Sequence, residues 1–188
     1  MRPLRVAVLA CALLAGCSTM TMRISRSELQ ADMATRFPIE ANKHVAILTA
    51  SDPQIEFPGR TDVLGVRLRL AATSHGGHSH LSGVARVEGR IEYVEAEHAF
   101  YVRDPEVTEL ELDPSHGDGT LARLIDGAND VVDASLIERA SRAVIEELLR
   151  THPVYRLDAK RSKKEAKAIR HLRSVHIEGE DLVLEVGL

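Results

Sequence analysis

Three imidazoles fall within six residues at His75-Gly-Gly-His78-Ser-His80. Side chains at such spacing can ligate zinc, copper or nickel. The run contains no carboxylate to orient the rings from behind, and its glycines and serine suit a hairpin loop. His75, His78 and His80 are the only metal candidate, and the loop reading outweighs it. Gly77-His78-Ser79-His80-Leu81 comes near a nucleophile elbow, but Leu81 stands where the second glycine belongs. The elbow also needs a strand-to-helix turn, and here strands flank it. Asp113, Ser115, His116 and Asp118 are triad residue types, too close in sequence to hold a Ser-His hydrogen bond and an orienting acid together. They also lack the carboxylate spacing and final glutamate of a calcium loop. Glu95, Glu97 and His98 read as a solvated turn. No Gly-rich phosphate loop and no His-Glu-x-x-His string occurs. No catalytic residue and no cofactor is expected, so the chain reads as non-enzymatic.

The N-terminus carries a different chemistry. Arg2 and Arg5 precede a nine-residue apolar run, Val6 to Leu14. That is the layout of a secretory signal, and the run is too short to span a bilayer. Leu14-Ala15-Gly16-Cys17 follows, and this string resembles the lipobox of bacterial lipoproteins. The resemblance implies cleavage after Gly16, a diacylglyceryl thioether on Cys17 and a third acyl chain on the new amino group. Residues 1–16 are then a signal peptide, Cys17 is the lipidation site, and 17–23 form a short polar tether. Each buried methylene contributes about 0.8 kcal/mol, and two or more chains anchor stably. Cys11 leaves with the signal, so the mature domain has no thiol for a disulfide, a nucleophile or a thiolate metal site. Ser18, rather than Asp, after the lipidated residue points to the inner leaflet of the outer membrane, facing the periplasm.

Charge is unevenly spread. The chain has 24 basic and 28 acidic residues. Lys160, Arg161, Lys163, Lys164, Lys167, Arg170 and Arg173 nevertheless meet only Glu165 within 160–173. The bland reading is the solvated face of a short helix whose Ala166, Ile169 and Leu172 pack inward. The functional reading makes Lys160, Arg161, Lys163, Lys164, Lys167 and Arg170 contacts for anionic head groups. The overall negative charge and the three Phe, three Tyr and absent Trp leave little basis for a nucleic-acid partner.

The elements that position these groups follow from periodicity. Leu, Val and Ile supply 49 residues, enough for one core. Ser25-Arg-Ser-Glu28 matches a capping box, and Leu29, Met33 and Phe37 follow four apart, which predicts a helix ending before Pro38. A strand at about 44–50 runs into the turn signals Asp52-Pro53 and Pro58-Gly59. Residues 63–72 and 81–94 alternate apolar with charged, and Phe100, Val102, Leu110 and Leu112 continue that pattern. An antiparallel meander fits. From Thr120 apolar residues mostly four apart predict a helix to Thr151, about thirty residues or roughly 45 Å, with Gly127 as a point of kinking. A basic helix at 162–172 and a closing hairpin around Glu178-Gly-Glu-Asp181 complete a single domain, 24–188.

This order of elements resembles the YceB-like lipoproteins, a family without an agreed activity. The lipobox at Cys17 and the opening Ile24-Ser-Arg-Ser-Glu28 carry the likeness, with the paired strands, His152-Pro-Val-Tyr-Arg-Leu157 and the Lys/Ala-rich helix before Val175-His-Ile177. The resemblance implies a fold like the tubular lipid-binding (TULIP) proteins: α+β, a strongly twisted antiparallel sheet wrapped around a long α-helix. The groove would be lined by Val66, Leu68, Leu70, Ala85, Val87, Gly89, Ile91, Phe100, Leu110 and Leu112 from the sheet. Leu124, Val132, Leu136, Val144 and Leu148 would line it from the helix, with Ala85 and Gly89 leaving room beneath them. The expectation is a membrane-anchored periplasmic lipoprotein that binds a lipid or other apolar ligand there. The alternative is a structural or interaction lipoprotein with a filled core.

Overall fold

Period-two alternation organises most of the chain. The computed structural model describes residues 19–42, 46–74, 80–113 and 134–187, and more than half of them are antiparallel strand. Six strands make one sheet in the order β2 (Ile39–Asn42), β3 (Ala46–Glu56), β4 (Val63–Ser74), β5 (His80–Val94), β6 (Ala99–Asp113) and β7 (Tyr155–Arg156). Three more make a second sheet, with β9 (Asp181–Gly187) between β1 (Thr19–Ser25) and β8 (Leu172–Glu178). Three α-helices, α1 (Arg26–Ala34), α2 (Ala134–Thr151) and α3 (Lys163–His171), and a single 3-10 turn at Glu95–Glu97 complete the described elements.

The predicted capping box is present. Ser25 Oγ accepts from Glu28 N at 3.3 Å, and Glu28 Oε2 accepts from Ser25 N at 2.8 Å. Two of the four orphan donors at the start of α1 are thereby satisfied. Leu29 and Met33, one turn apart, are fully buried. The hairpin of β8 and β9 turns at Gly179, whose φ of +62° is cheap only for glycine.

In the large sheet the inner face is apolar. Val66, Leu68, Leu70, Ala85, Val87, Ile91 and Phe100 are all buried, as their alternation predicted. They join Met22 and Ile24 of β1, Leu148 and Leu149 of α2, and Leu182, Leu184 and Val186 of β9 in one core. The outer face is ionic: Arg67 and Arg86 both reach Glu56, and Arg103 reaches Glu92. Such exposed pairs contribute little individually, but they satisfy the face that must meet water.

Four expectations are corrected. The sheet does not wrap around a long helix, so the TULIP-like fold class does not hold. The helix that lies on β6 is α2, 18 residues or roughly 27 Å, and the core is shared between two sheets and three helices. The expected beginning of that helix at Thr120, with Gly127, falls in 114–133, outside the described residues.

The polar tether at 17–23 is the second correction. From Thr19 the chain is already strand, paired with β9 along its whole length from Thr19↔Gly187 to Ser25↔Asp181. Thr-Met-Thr-Met-Arg-Ile alternates, but it is too short and polar to show as a strand without its partner.

The third is the strand near 44–50, which continues to Glu56 through Asp52-Pro53 as a bulge rather than ending in a turn. Asp104-Pro105 forms the matching irregularity in β6. Both aspartates have positive φ, 47° and 46°, and both prolines fall where the ladder needs no donor. The two bulges flank β4 and β5 and bend the sheet at both sides.

The last correction concerns room beneath Gly89. A Cβ there would lie 2.4 Å from Val102 Cγ1 and 2.7 Å from the Arg103 carbonyl oxygen. The bulged strand fills the space, and glycine is what permits the close approach. Ala85 is fully buried in the same core.

Candidate membrane-facing site

α3 is built for two environments. Ser162 caps it, its Oγ accepting from Glu165 N at 3.1 Å. Ala168 is fully buried, with Ala166, Ile169 and Leu172 half-buried behind it. Lys160, Lys163, Lys164, Lys167, Arg170, His171 and Arg173 are exposed. This division follows the helical period that the sequence predicted.

Arg161 departs from that pattern. Its guanidinium turns inward to Asp32 Oδ1 at 3.0 Å and Glu165 Oε2 at 3.4 Å. It also donates to Tyr155 Oη and stacks over that ring, 5.1 Å from the centroid. Glu165 is only 3% exposed. Its carboxylate is held by Arg161 and by the Asp158 backbone N–H at 2.7 Å. Asp32 accepts from Arg36 and, at 3.1 Å, from the Arg156 backbone N–H. Burial pushes the Tyr155 hydroxyl up to about 12, and the carboxylate of Glu165 adds to that effect. The cluster ties α1, β7 and α3 together. Arg161 therefore differs from the other cations of the run in being paired within this clasp, although its side chain stays 43% exposed.

The strand arginines are neutralised in place. Arg23 meets Glu178 and Asp181, Arg69 meets Asp52, Arg90 meets Asp104 and Arg156 meets Glu97. Lys160, Lys163, Lys164, Lys167, Arg170 and Arg173 make no ion pair with any described residue. The basic face is thus a cluster of charge that is unpaired among the described residues.

The expected groove residues separate into three groups. Val66, Leu68, Leu70, Ala85, Val87, Gly89, Ile91, Phe100 and Leu148 are buried core. Leu110, Leu112 and Val144 are half-buried. Leu136 lies in α2, and Leu124 and Val132 lie outside the described residues. A cleft of about 520 Å³ opens at the end of the sheet beside Leu70, Gly83, Val84 and Leu112, with Arg69 and Glu111 on its rim. A second, about 540 Å³ and more polar, lies between α1 and the β3 bulge, lined by Gln30, Phe37, Asp52 and Arg69. Gln30 braces that bulge: it accepts from Ile55 N at 2.8 Å and donates to the Pro53 carbonyl.

Cys17, His75 and His78 lie outside the described residues, and His80 opens β5 opposite Thr73. Among the described residues no group of three metal-capable side chains forms, and no helix is long and apolar enough to cross a membrane. The clasp of Asp32, Tyr155, Arg161 and Glu165 escaped the sequence reading. Its only local signal was a glutamate inside a basic run, three residues after a capping serine.

Fold and surface together define a two-sheet, predominantly β domain with one unneutralised basic helix. The chain belongs to a family of proteins of unknown function, DUF1439, whose model matches residues 24–180. No curated protein matches the chain.

Proposed function

We propose that this chain is a YceB-like lipoprotein of the bacterial envelope, anchored through Cys17, that works without catalysis as a membrane-apposed interaction module with a filled core. The observation that carries this reading is the position of β1. Strand pairing begins at Thr19, two residues after the lipobox cysteine. Two extended residues span about 7 Å, so acyl chains on Cys17 would hold the folded domain directly against the head groups. Metabolic labelling with a fatty-acid probe tests it. The wild-type chain takes up label and fractionates with membranes. The Cys17→Ser chain takes up none and is released or left unprocessed. Equal labelling of both rejects the reading.

A second reading rests on the cleft beside Leu70, Val84 and Leu112. Its volume, about 520 Å³, is within the range of small-ligand sites, and Leu70, Val84 and Leu112 give it an apolar part beside Arg69, Glu111 and Asp113. It supports uptake of a lipid or other apolar ligand at the sheet end. A fluorescent fatty acid should bind the wild-type chain, and Leu112→Arg should weaken that binding at least tenfold. Absence of uptake by the wild-type chain rejects this second reading and leaves the first intact.

A further inference from the structure

We propose that the exposed face of α3, formed by Lys163, Lys164, Lys167 and Arg170 with Lys160 and Arg173 beside it, docks on the anionic phospholipid head groups of the bilayer that holds the anchor. This deepens the anchored reading and rests on it for the orientation.

Strand register supplies the orientation. β9 is the middle strand of the small sheet, with Thr19↔Gly187 and Met20↔Val186 on one side and Leu172↔Val186 on the other. The start of β1, the end of β9 and the start of β8 therefore share one end of that sheet. α3 runs into β8 without an intervening loop, its last residue His171 preceding Leu172. Thr19 and Leu172 flank a single strand, so they are about 10 Å apart. Cys17 is at most about 7 Å further from Thr19. The lipidated residue and the end of the basic helix thus meet the same surface. Arg173 is held there too: its guanidinium lies over Gly187, where any Cβ would come within 2.5 Å of Nε.

The opposite end of the same sheet carries the acids. Glu178, Glu180 and Asp181 gather at the β8–β9 turn, where Arg23 and Arg26 meet them. The sheet is therefore polarised: the C-terminal end of the basic helix and Arg173 lie at the anchor end, and acids with their arginines lie at the far end. A negatively charged bilayer attracts the first and repels an unscreened excess at the second, so charge and tether select the same orientation. Attraction of this kind acts within a Debye length, about 8 Å at physiological ionic strength. A tether of two residues therefore matters, because it keeps the end of the helix close to the bilayer surface.

Vesicle flotation tests the docking without the anchor. The chain from Ser18 onward keeps every described strand and helix and has no acyl chain. It should float with vesicles containing phosphatidylglycerol, should not float with pure phosphatidylcholine, and should release in high salt. Lys163→Glu, Lys164→Glu and Lys167→Glu together should weaken binding on the order of a hundredfold or more, with the circular dichroism spectrum unchanged. Equal binding to both lipids at low salt, or no effect of the triple variant while folded, overturns the proposal. Orientation has its own test, because the mature chain lacks any other cysteine once Cys17 is removed. A fluorophore at His171→Cys should be quenched by brominated anionic lipid, and one at Glu180→Cys should not. Equal quenching, or the reverse order, overturns it. None of these results depends on lipidation at Cys17, so failure of the anchored reading and failure of the docking surface are separately visible.

Discussion

Arg161 reaches Asp32 across 129 residues of sequence, with 3.0 Å between Nη2 and Oδ1. The contact joins α1, near the start of the domain, to the loop that leads into α3. Asp32 is only 13% exposed at its side chain and also holds Arg36 and the Arg156 backbone N–H. Replacing it strands several donors together. Asp32→Ala should destabilise the fold by about 2–4 kcal/mol, seen as a lower urea midpoint with an unchanged slope. A loss below about 0.5 kcal/mol would place the contact among the ornamental surface pairs.

Glu165 is the second half of the same clasp. Buried and paired, it supports Arg161 and the Asp158 backbone at once. Glu165→Ala should cost about 2–3 kcal/mol, and the double variant with Asp32→Ala should cost less than the sum of the two, because both remove partners of Arg161. Additive losses in equilibrium denaturation would show that the two carboxylates act independently.

Tyr155 links the clasp to alkaline stability. Its folded-state pKa, raised to about 12 mainly by burial, exceeds the unfolded value near 10. Between these values the unfolded chain releases the proton and the native state keeps it, so stability falls as pH rises from about 10 to 12. The stabilisation is fully present below pH 10. Tyr155→Phe should flatten that alkaline decline, and it should cost roughly 1 kcal/mol at pH 7 because Arg161 loses an acceptor. Tyr93 and Tyr101, the other two tyrosines, are also raised, each mainly by burial. Absorbance near 295 nm, free of tryptophan, should show no native tyrosine ionising below pH 10.

Gly89 tests how tightly the core is filled. Gly89→Ala drives a methyl into Val102 and the Arg103 carbonyl. Backbone and a β-branched side chain yield poorly, so the variant should lose several kcal/mol or fail to fold. Relief by Val102→Ala should be partial, since the carbonyl contact remains. A stable Gly89→Ala protein would reveal space that the close approach denies.

Much of the candidate surface was legible beforehand. The lysines of α3 stood out as a charge run, and the helical period placed them opposite Ala166, Ile169 and Leu172, whereas the fully buried residue is Ala168. The diversion of Arg161 was not legible, because Asp32 and Tyr155 lie far away in sequence and no local spacing announces them. The small sheet was half visible: its β8–β9 hairpin shows in the turn residues around Gly179, whereas β1 becomes a strand only beside β9.

The amino-acid sequence alone determined what depends on neighbours along the chain: the capping box of Ser25 and Glu28, the buried alternation from Leu64 to Ile91, the turn at Gly179, and the two faces of α3. These follow from backbone periodicity and short hydrogen bonds, which a few adjacent residues decide. Tertiary structure decided what depends on distant partners. Val107 offers its N–H and carbonyl to Glu146 and Arg142, and that grip sets where α2 lies on β6. Asp-Pro at 52 and at 104 is a turn signal by composition, yet each becomes a bulge because flanking strands continue the ladder past it. Val102 closes over Gly89 for the same reason: register between strands, and not the residue itself, determines which atoms meet there.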